Sequence, residues 1–267
     1  MIYYNNKNVF ITGGTSGIGL EMGKQLSYFG ANVILFGRKN FENAINTVSS
    51  VGNGNKIHTI FMETTDLNSV QSGFDEGKEI IGNPDIVIHS AGIGRCVPFS
   101  EFSQEEFEQV NNVNLFGSRN VAEVALHYLK ETKGQLMFIV SLAGIVTNYG
   151  YSAYCASKYA TLGLAGVLRS EWQPLGISVT AACPPEITTP LVEKERIESP
   201  EVAKLLKNFA GNLPLDYACR YMLKGLSKRK YMVIPGFKAK FVALTQRLAP
   251  SINNYISDLI IARHTTK

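Results

Sequence analysis

Seven short apolar, β-branched runs recur along the chain, and each of the first six is followed by a segment able to form a helix. They are NVFIT (8–12), NVILF (32–36), KIHTIFM (56–62), DIVIHS (85–90), LMFIVS (136–141), ISVTAAC (177–183) and KYMVIP (230–235). A strand apolar on both faces must be covered on both, and an intervening helix lets successive strands run parallel. After the first run, Met22, Leu26 and Phe29 share one helical face. The pattern predicts an α/β fold: a doubly wound parallel sheet of about seven strands with helices on both faces. No Pro/Gly/Ser-rich linker divides residues 1–236, which read as one domain; residues 237–267 read as a helical extension.

Composition narrows the class further. The 267 residues are 45% hydrophobic and 18% charged, without low-complexity tracts or a fixed repeat, which disfavours disorder and solenoids. No run approaches the roughly 20 apolar residues of a membrane span, and MIYYNNKNVFIT lacks the pattern of a secretory leader, so the expected location is cytoplasmic. Cys96, Cys155, Cys183 and Cys219 form no CxxC pair and suit free thiols; no metal site is expected. Net charge is +4, divided as −3 over the first 227 residues and +7 from Lys228 onward. The bulk of the chain does not have the charge of a nucleic-acid binder.

Directly after the first run comes Thr12-Gly13-Gly14-Thr15-Ser16-Gly17-Ile18-Gly19, a glycine-rich turn between strand and helix. Glycines at Gly13, Gly17 and Gly19 let backbone approach a pyrophosphate, which sits on the N–H groups of a helix N-terminus. The second run ends LFGRK. Where an NAD site carries an acid for the ribose 2′-hydroxyl, Gly37 stands, followed by Arg38. A guanidinium pairs with a 2′-phosphate that a carboxylate would repel, so the expected cofactor is NADP(H). Thr15 and Ser16 could add hydroxyl donors. A solvated loop charge is the alternative reading of Arg38.

Residues 149–159 read YGYSAYCASKY. Tyr154 lies four residues before Lys158, so the two side chains share a helix face. With TGGTSGIG and this YxxxK, the chain resembles the short-chain dehydrogenase/reductase family over about residues 8–236. HSAG (89–92), NVNLFG (112–117) and CPPEITTP (183–190) fall in the family's order.

The resemblance implies a Rossmann-type fold and a catalytic set of Asn114, Ser141, Tyr154 and Lys158. Ser141, in VSLAG, stands thirteen residues before Tyr154, the family's spacing; Tyr149 and Tyr151 fail both spacings and read as packing or pocket residues, and Tyr159 points elsewhere. A free phenol titrates near pKa 10 and gives up its proton reluctantly, so a nearby ammonium is needed to stabilise tyrosinate. By the resemblance, Lys158 does this and holds the nicotinamide ribose, Ser141 orients the substrate oxygen, and Asn114 helps hold a water leading from the lysine. Cofactor contacts carried over are Glu63 and Thr64 at the adenine, Ala91 and Gly92, and Pro184, Ile187 and Thr189 at the nicotinamide. His89-Ser90 replaces the common Asn-Asn; His89 reads as an ordinary strand-end histidine.

Pro184-Pro185 opens PPEITTP, which is similar to a run of the 3-ketodihydrosphingosine reductase branch. This implies reduction of a long-chain 3-keto lipid to a secondary alcohol. The alternatives are a 3-oxoacyl-thioester reductase, a hydroxy-lipid or steroid dehydrogenase, or a catalytically silent NADP-binding regulator. Residues about 190–215 are the expected substrate lid. There Ser199-Pro200-Glu201 reads as N-cap, N1 proline and first-turn acid of a helix, and Val202, Leu205, Leu206 and Phe209 as an apolar face that either covers substrate or closes the core. The family pairs subunits through its fourth and fifth helices, here about 103–130 and 152–172, which implies a homodimer or homotetramer. Beyond the last strand, Phe241, Leu244 and Leu248 share a face, and Ile252, Tyr255, Ile256, Leu259 and Ile260 form a stripe. With Lys238, Lys240, Arg247 and Arg263 around them, these helices suit a membrane surface, the chain's own domain, or a second subunit.

Overall fold

The computed structural model describes residues 1–52, 54–189, 192, 196–197 and 199–265. The seven runs become β1 (Asn8–Thr12), β2 (Asn32–Gly37), β3 (Ile57–Phe61), β4 (Ile86–His89), β5 (Gln135–Ile139), β6 (Ser178–Ala182) and β9 (Met232–Val233). All neighbours pair in parallel, in the order β3-β2-β1-β4-β5-β6-β9. The last run yields two paired residues, and Pro235, which has no N–H to donate, follows shortly after them.

Side-chain alternation along the strands builds two cores. Phe10, Ile34, Phe36, Val87, Leu136 and Phe138 face α3 (Leu67–Ile81), α5 (Gly117–Thr132) and α6 (Ser152–Trp172). Val9, Ile11, Val33, Leu35, Ile88 and Met137 face α1 (Gly17–Tyr28), α2 (Phe41–Ser49) and α8 (Leu215–Leu226). Phe36 and Phe74 stack at 5.6 Å, and Phe10 meets both edge-on at 5.4 and 5.3 Å. On the opposite face Tyr4 donates its hydroxyl to the Leu223 carbonyl at 2.6 Å, tying the start of the chain to α8.

The expected helix around 103–130 is α4 (Gln104–Asn111) and α5, joined by a π turn over Asn112–Phe116. Ser103 caps α4 in a reciprocal box with Glu106. Residues 190, 191, 193–195 and 198 of the expected lid lie outside the described residues. Its described part holds α7 (Glu201–Ala210) and β8 (Asn212–Leu213), which forms a second sheet with β7 (Glu186–Ile187) ahead of the lid. Pro200, not Ser199, is the cap of α7, and Glu201 is its first helical residue. Two-residue strands leave no periodicity in the sequence, so this small sheet is a finding of the fold.

The extension forms a hairpin of α9 (Phe237–Leu248) and α10 (Pro250–Thr265). Asn253 pins it from within: its amide donates to the Val242 carbonyl at 3.2 Å and to Gln246 at 3.0 Å, and accepts from Thr245 at 2.9 Å. The hairpin lies against α7, so of the three settings open to it the chain's own domain is occupied. Among the described residues no helix is long and apolar enough to cross a membrane.

Replacing Phe74 by Ala removes the ring shared by this aromatic group and should lower unfolding free energy by roughly 3–5 kcal/mol. Urea denaturation checks this: the midpoint should fall with an unchanged slope.

Candidate active site

In a doubly wound sheet the crevice lies beyond the carboxyl ends of the strands, where the strand order reverses. Here that point is between β1 and β4, and a cavity of about 450 Å³ opens beside it. It runs from the glycine turn, past the ends of β5 and β6, to α7 and α10.

At one end, backbone approach depends on missing side chains. Gly13 has φ of +65°, and a Cβ there would lie 2.7 Å from the Ala91 nitrogen; one on Gly19 would lie 2.3 Å from the Gly13 carbonyl oxygen. Gly17, with φ of +52°, has nothing within 4 Å of its Cβ position and faces the open cleft. An α-helix leaves its first N–H groups without intrahelical acceptors, so this end of α1 is a cradle that fits a dinucleotide phosphate.

At the end of β2, a Cβ on Gly37 would lie 2.4 Å from Thr15 Oγ1 and 2.6 Å from its Cγ2. No carboxylate can stand there while Thr15 keeps its place. Exposed Arg38 pairs with Glu63 at 3.2 Å, and Glu63 also accepts from the Thr65 N–H at 3.2 Å. Burial pushes the Glu63 carboxyl upward, but the Thr65 bonds and Arg38 outweigh it and hold the pKa below the usual value. Such a solvent-facing pair contributes about 1 kcal/mol or less, so either partner can exchange it for a ligand.

The catalytic candidates converge at the other end. Tyr154 and Lys158 occupy one face of α6, with the Lys158 ammonium 5.5 Å from the Tyr154 ring centre. Lys158 is buried and donates to the Ile139 carbonyl at 3.0 Å. Burial pulls its pKa down to about 8, partly offset by Cys183. Ser141 follows β5 and accepts from the Ala143 N–H at 3.1 Å. Asn114 is buried in the π turn: its amide donates to the Ile93 carbonyl at 2.8 Å and to Ser157 at 3.0 Å, and accepts from the Ile93 N–H at 2.9 Å. It therefore braces the loop after β4 against α6, one residue ahead of Lys158. His89 lies 2.7 Å from the Thr12 hydroxyl; burial, then the charge of Lys158, lowers its pKa to about 3, so the ring is neutral.

The cavity wall brings together Gly13, Ser16, Gly17, Ile18, Ala91, Gly92, Ser141, Tyr154, Lys158, Pro184, Ile187 and Thr189. Thr15, Gly19, Arg38, Glu63, Thr64 and Asn114 lie outside it. Thr64 is buried beneath Gly117, and its carbonyl accepts from Asn120 at 3.1 Å. Of the other tyrosines, Tyr151 is buried edge-on to Tyr154 at 5.8 Å and lines the cavity, while Tyr159 donates to the Ile145 carbonyl.

Sequence reasoning passed over three features. Gly94 is one, since a Cβ there would lie 3.2 Å from the Tyr154 ring. Another is Glu186, nearly fully buried, which pairs with Arg196 at 2.8 Å and Lys207 at 2.9 Å and so ties β7 to α7. Its place inside PPEITTP was the available signal. The third is Asn253 on the inward face of α10, which completes the wall beside Ile256 and Ile260 of the stripe.

The close fit at Gly37 is testable. Gly37→Ala should cost about 1–3 kcal/mol through overpacking, and Thr15→Ala in the same chain should recover part of it. Paired thermal melts of the single and double variants check both effects.

The family model described as short chain dehydrogenase matches residues 7–199, and the chain belongs to that family. It is an oxidoreductase, and its relatives are named reductases and dehydrogenases. It is similar to 3-dehydrosphinganine reductase TSC10B of Arabidopsis thaliana, 32% identical over 85% of this chain and 69% of the relative. It is also similar to 3-dehydrosphinganine reductase of Danio rerio, at 30% over 82% of this chain and 68% of the relative. D-beta-hydroxybutyrate dehydrogenase of Cupriavidus necator is 28% identical over 72% and 74%. Among solved structures, a short chain dehydrogenase/reductase from Burkholderia phymatum in complex with NAD superposes with a TM-score of 0.82 at 17% identity, covering 94% and 96% of the two chains. Levodione reductase gives 0.79 at 23%, covering 86% and 96%. These two likenesses concern the fold.

Proposed function

We propose that the protein uses NADPH to reduce a long-chain 3-keto lipid, such as 3-ketodihydrosphingosine, to its secondary alcohol. One observation carries this reading: a single cavity joins Ser141, Tyr154 and Lys158 to an apolar wall formed by Leu206, Phe209, Val242, Ile256 and Ile260. A small polar ketone has no use for such a wall, whereas an acyl or sphingoid chain would bury its methylenes there, at about 0.8 kcal/mol each. The relatives named 3-dehydrosphinganine reductase support the same substrate class.

Gly13, Ser16, Gly17 and Ile18 would hold the cofactor's pyrophosphate, and Arg38 with Thr15 and Ser16 its 2′-phosphate. Glu63 and Thr64 belong to the adenine end, Ala91 and Gly92 to the middle, and Pro184, Ile187 and Thr189 to the nicotinamide. When bound, the dinucleotide supplies the hydride. Ser141 hydrogen-bonds the carbonyl oxygen of the substrate and orients it. Tyr154 gives that oxygen its proton, and the Lys158 ammonium stabilises the tyrosinate left behind. A lysine in low dielectric exerts more on its neighbour than one in water, and a pKa near 8 still leaves it charged at neutral pH. Asn114 acts through position, by fixing α6 against the loop after β4. Pairing of subunits through α4–α5 and α6 suits the exposed Phe116, in the π turn between α4 and α5, and Val167 on α6.

Purified protein should oxidise NADPH with 3-ketodihydrosphingosine in detergent and not with a short 3-oxoacyl thioester. Activity on the thioester alone would replace the lipid assignment with acyl reduction. Tyr154→Phe should lower turnover by roughly 10²–10⁴-fold. Fluorescence titration should show its NADPH affinity unchanged; full turnover would sink the mechanism. Arg38→Ala should weaken NADPH binding by roughly ten- to a hundredfold and leave NADH binding nearly constant. Equal losses for both would remove the 2′-phosphate argument.

A further inference from the structure

The fold divides the stripe on α10 between two faces. Ile256 and Ile260 turn inward and form cavity wall, whereas Ile252, Tyr255 and Leu259 turn outward and are exposed. On α9 the division is similar: Val242 faces the cavity, and Phe237, Phe241, Leu244 and Leu248 are 54–84% exposed. Single exposed apolar side chains are ordinary, but seven large ones on two consecutive helices form a surface that water covers poorly. The hairpin already has its packing partners, namely the Asn253 bonds within it and α7 beneath. The outer face is therefore surplus to folding.

Charge decides what covers that face. Lys238, Lys240, Arg247 and Arg263 are exposed on the same two helices, and Asp258 is the sole acid from Lys228 onward. A second copy of the chain would bring like charge against like. An anionic lipid surface would accept the apolar side chains at its acyl boundary and pair the bases with its phosphates.

We propose that the outer face of α9 and α10 docks on an anionic lipid surface, while the inner face of the same hairpin walls the substrate cavity. A hydrophobic ketone can then pass between bilayer and Tyr154 along one hairpin, without full exposure to water. The passage of substrate rests on the lipid-ketone reading above; the docking does not.

The test is flotation of the full chain with vesicles of equal parts phosphatidylcholine and phosphatidylglycerol, and with phosphatidylcholine alone. The protein should float with the mixed vesicles and at least tenfold less with the neutral ones. Phe241→Asp with Leu248→Asp, and separately Lys238→Glu with Arg247→Glu, should each reduce the bound fraction at least tenfold. None of these four residues lines the cavity, so NADPH affinity by fluorescence titration should be unchanged in both variants. Full chain that stays in solution with both vesicles would overturn the docking. So would a drop in mass by light scattering in the Asp variant with vesicle binding intact, which would show a second copy on this face. Vesicle binding with no turnover of any lipid ketone would leave the docking standing and remove the substrate reading alone.

Discussion

The close backbone contact between the glycine turn and the loop after β4 is the constraint on which the rest of the site depends. β1 sits between β2 and β4, so the loops leaving β1 and β4 meet at the point where the sheet changes direction. They can meet only because Gly13 has no Cβ to place 2.7 Å from the Ala91 nitrogen. That contact sets the N-terminus of α1 over the crevice and keeps Gly92 beside Asn114 and Lys158. The same loop then runs on through Ile93, which Asn114 grips by both its N–H and its carbonyl.

Burying Lys158 removes an ammonium from water, and its partners compensate only in part. The Ile139 carbonyl accepts one of its three protons, and the Tyr154 ring lies 5.5 Å from the ammonium. The depressed pKa records the shortfall. A cation in that condition gains most from a neighbour that becomes negative, and giving up a proton is the role proposed for Tyr154. Under that proposal, stability lost at the lysine and chemistry gained at the tyrosine are two aspects of one burial.

Much of the site was legible because its signals are local. A glycine turn between strand and helix, Gly37-Arg38 at the end of β2, and Tyr154 four residues before Lys158 each need a window of a few residues. Ser141 was legible through its distance from Tyr154 in a resembling family. The Glu186–Lys207–Arg196 cluster was not, because its members are brought together by the pairing of β7 with β8, strands too short to show a period. Glu63 shows the limit from the other side. Its position at the end of β3 was readable, but its ion pair with Arg38 depends on β2 and β3 being neighbours.

The sequence by itself determined the alternation of strand and helix, the two-faced burial of the strands, and the chemical identity of the groups on the strand ends, because each follows from side-chain type and short spacing. Tertiary structure alone decided which of several apolar helix faces would close the cavity. The stripe on α10 reads as one face at helical period, yet Ile256 and Ile260 enter the wall while Ile252, Tyr255 and Leu259 remain outside. Periodicity records that a face is apolar; it carries no information about what lies opposite. That was settled by the reach of the hairpin back over α7, through contacts between residues far apart in the chain.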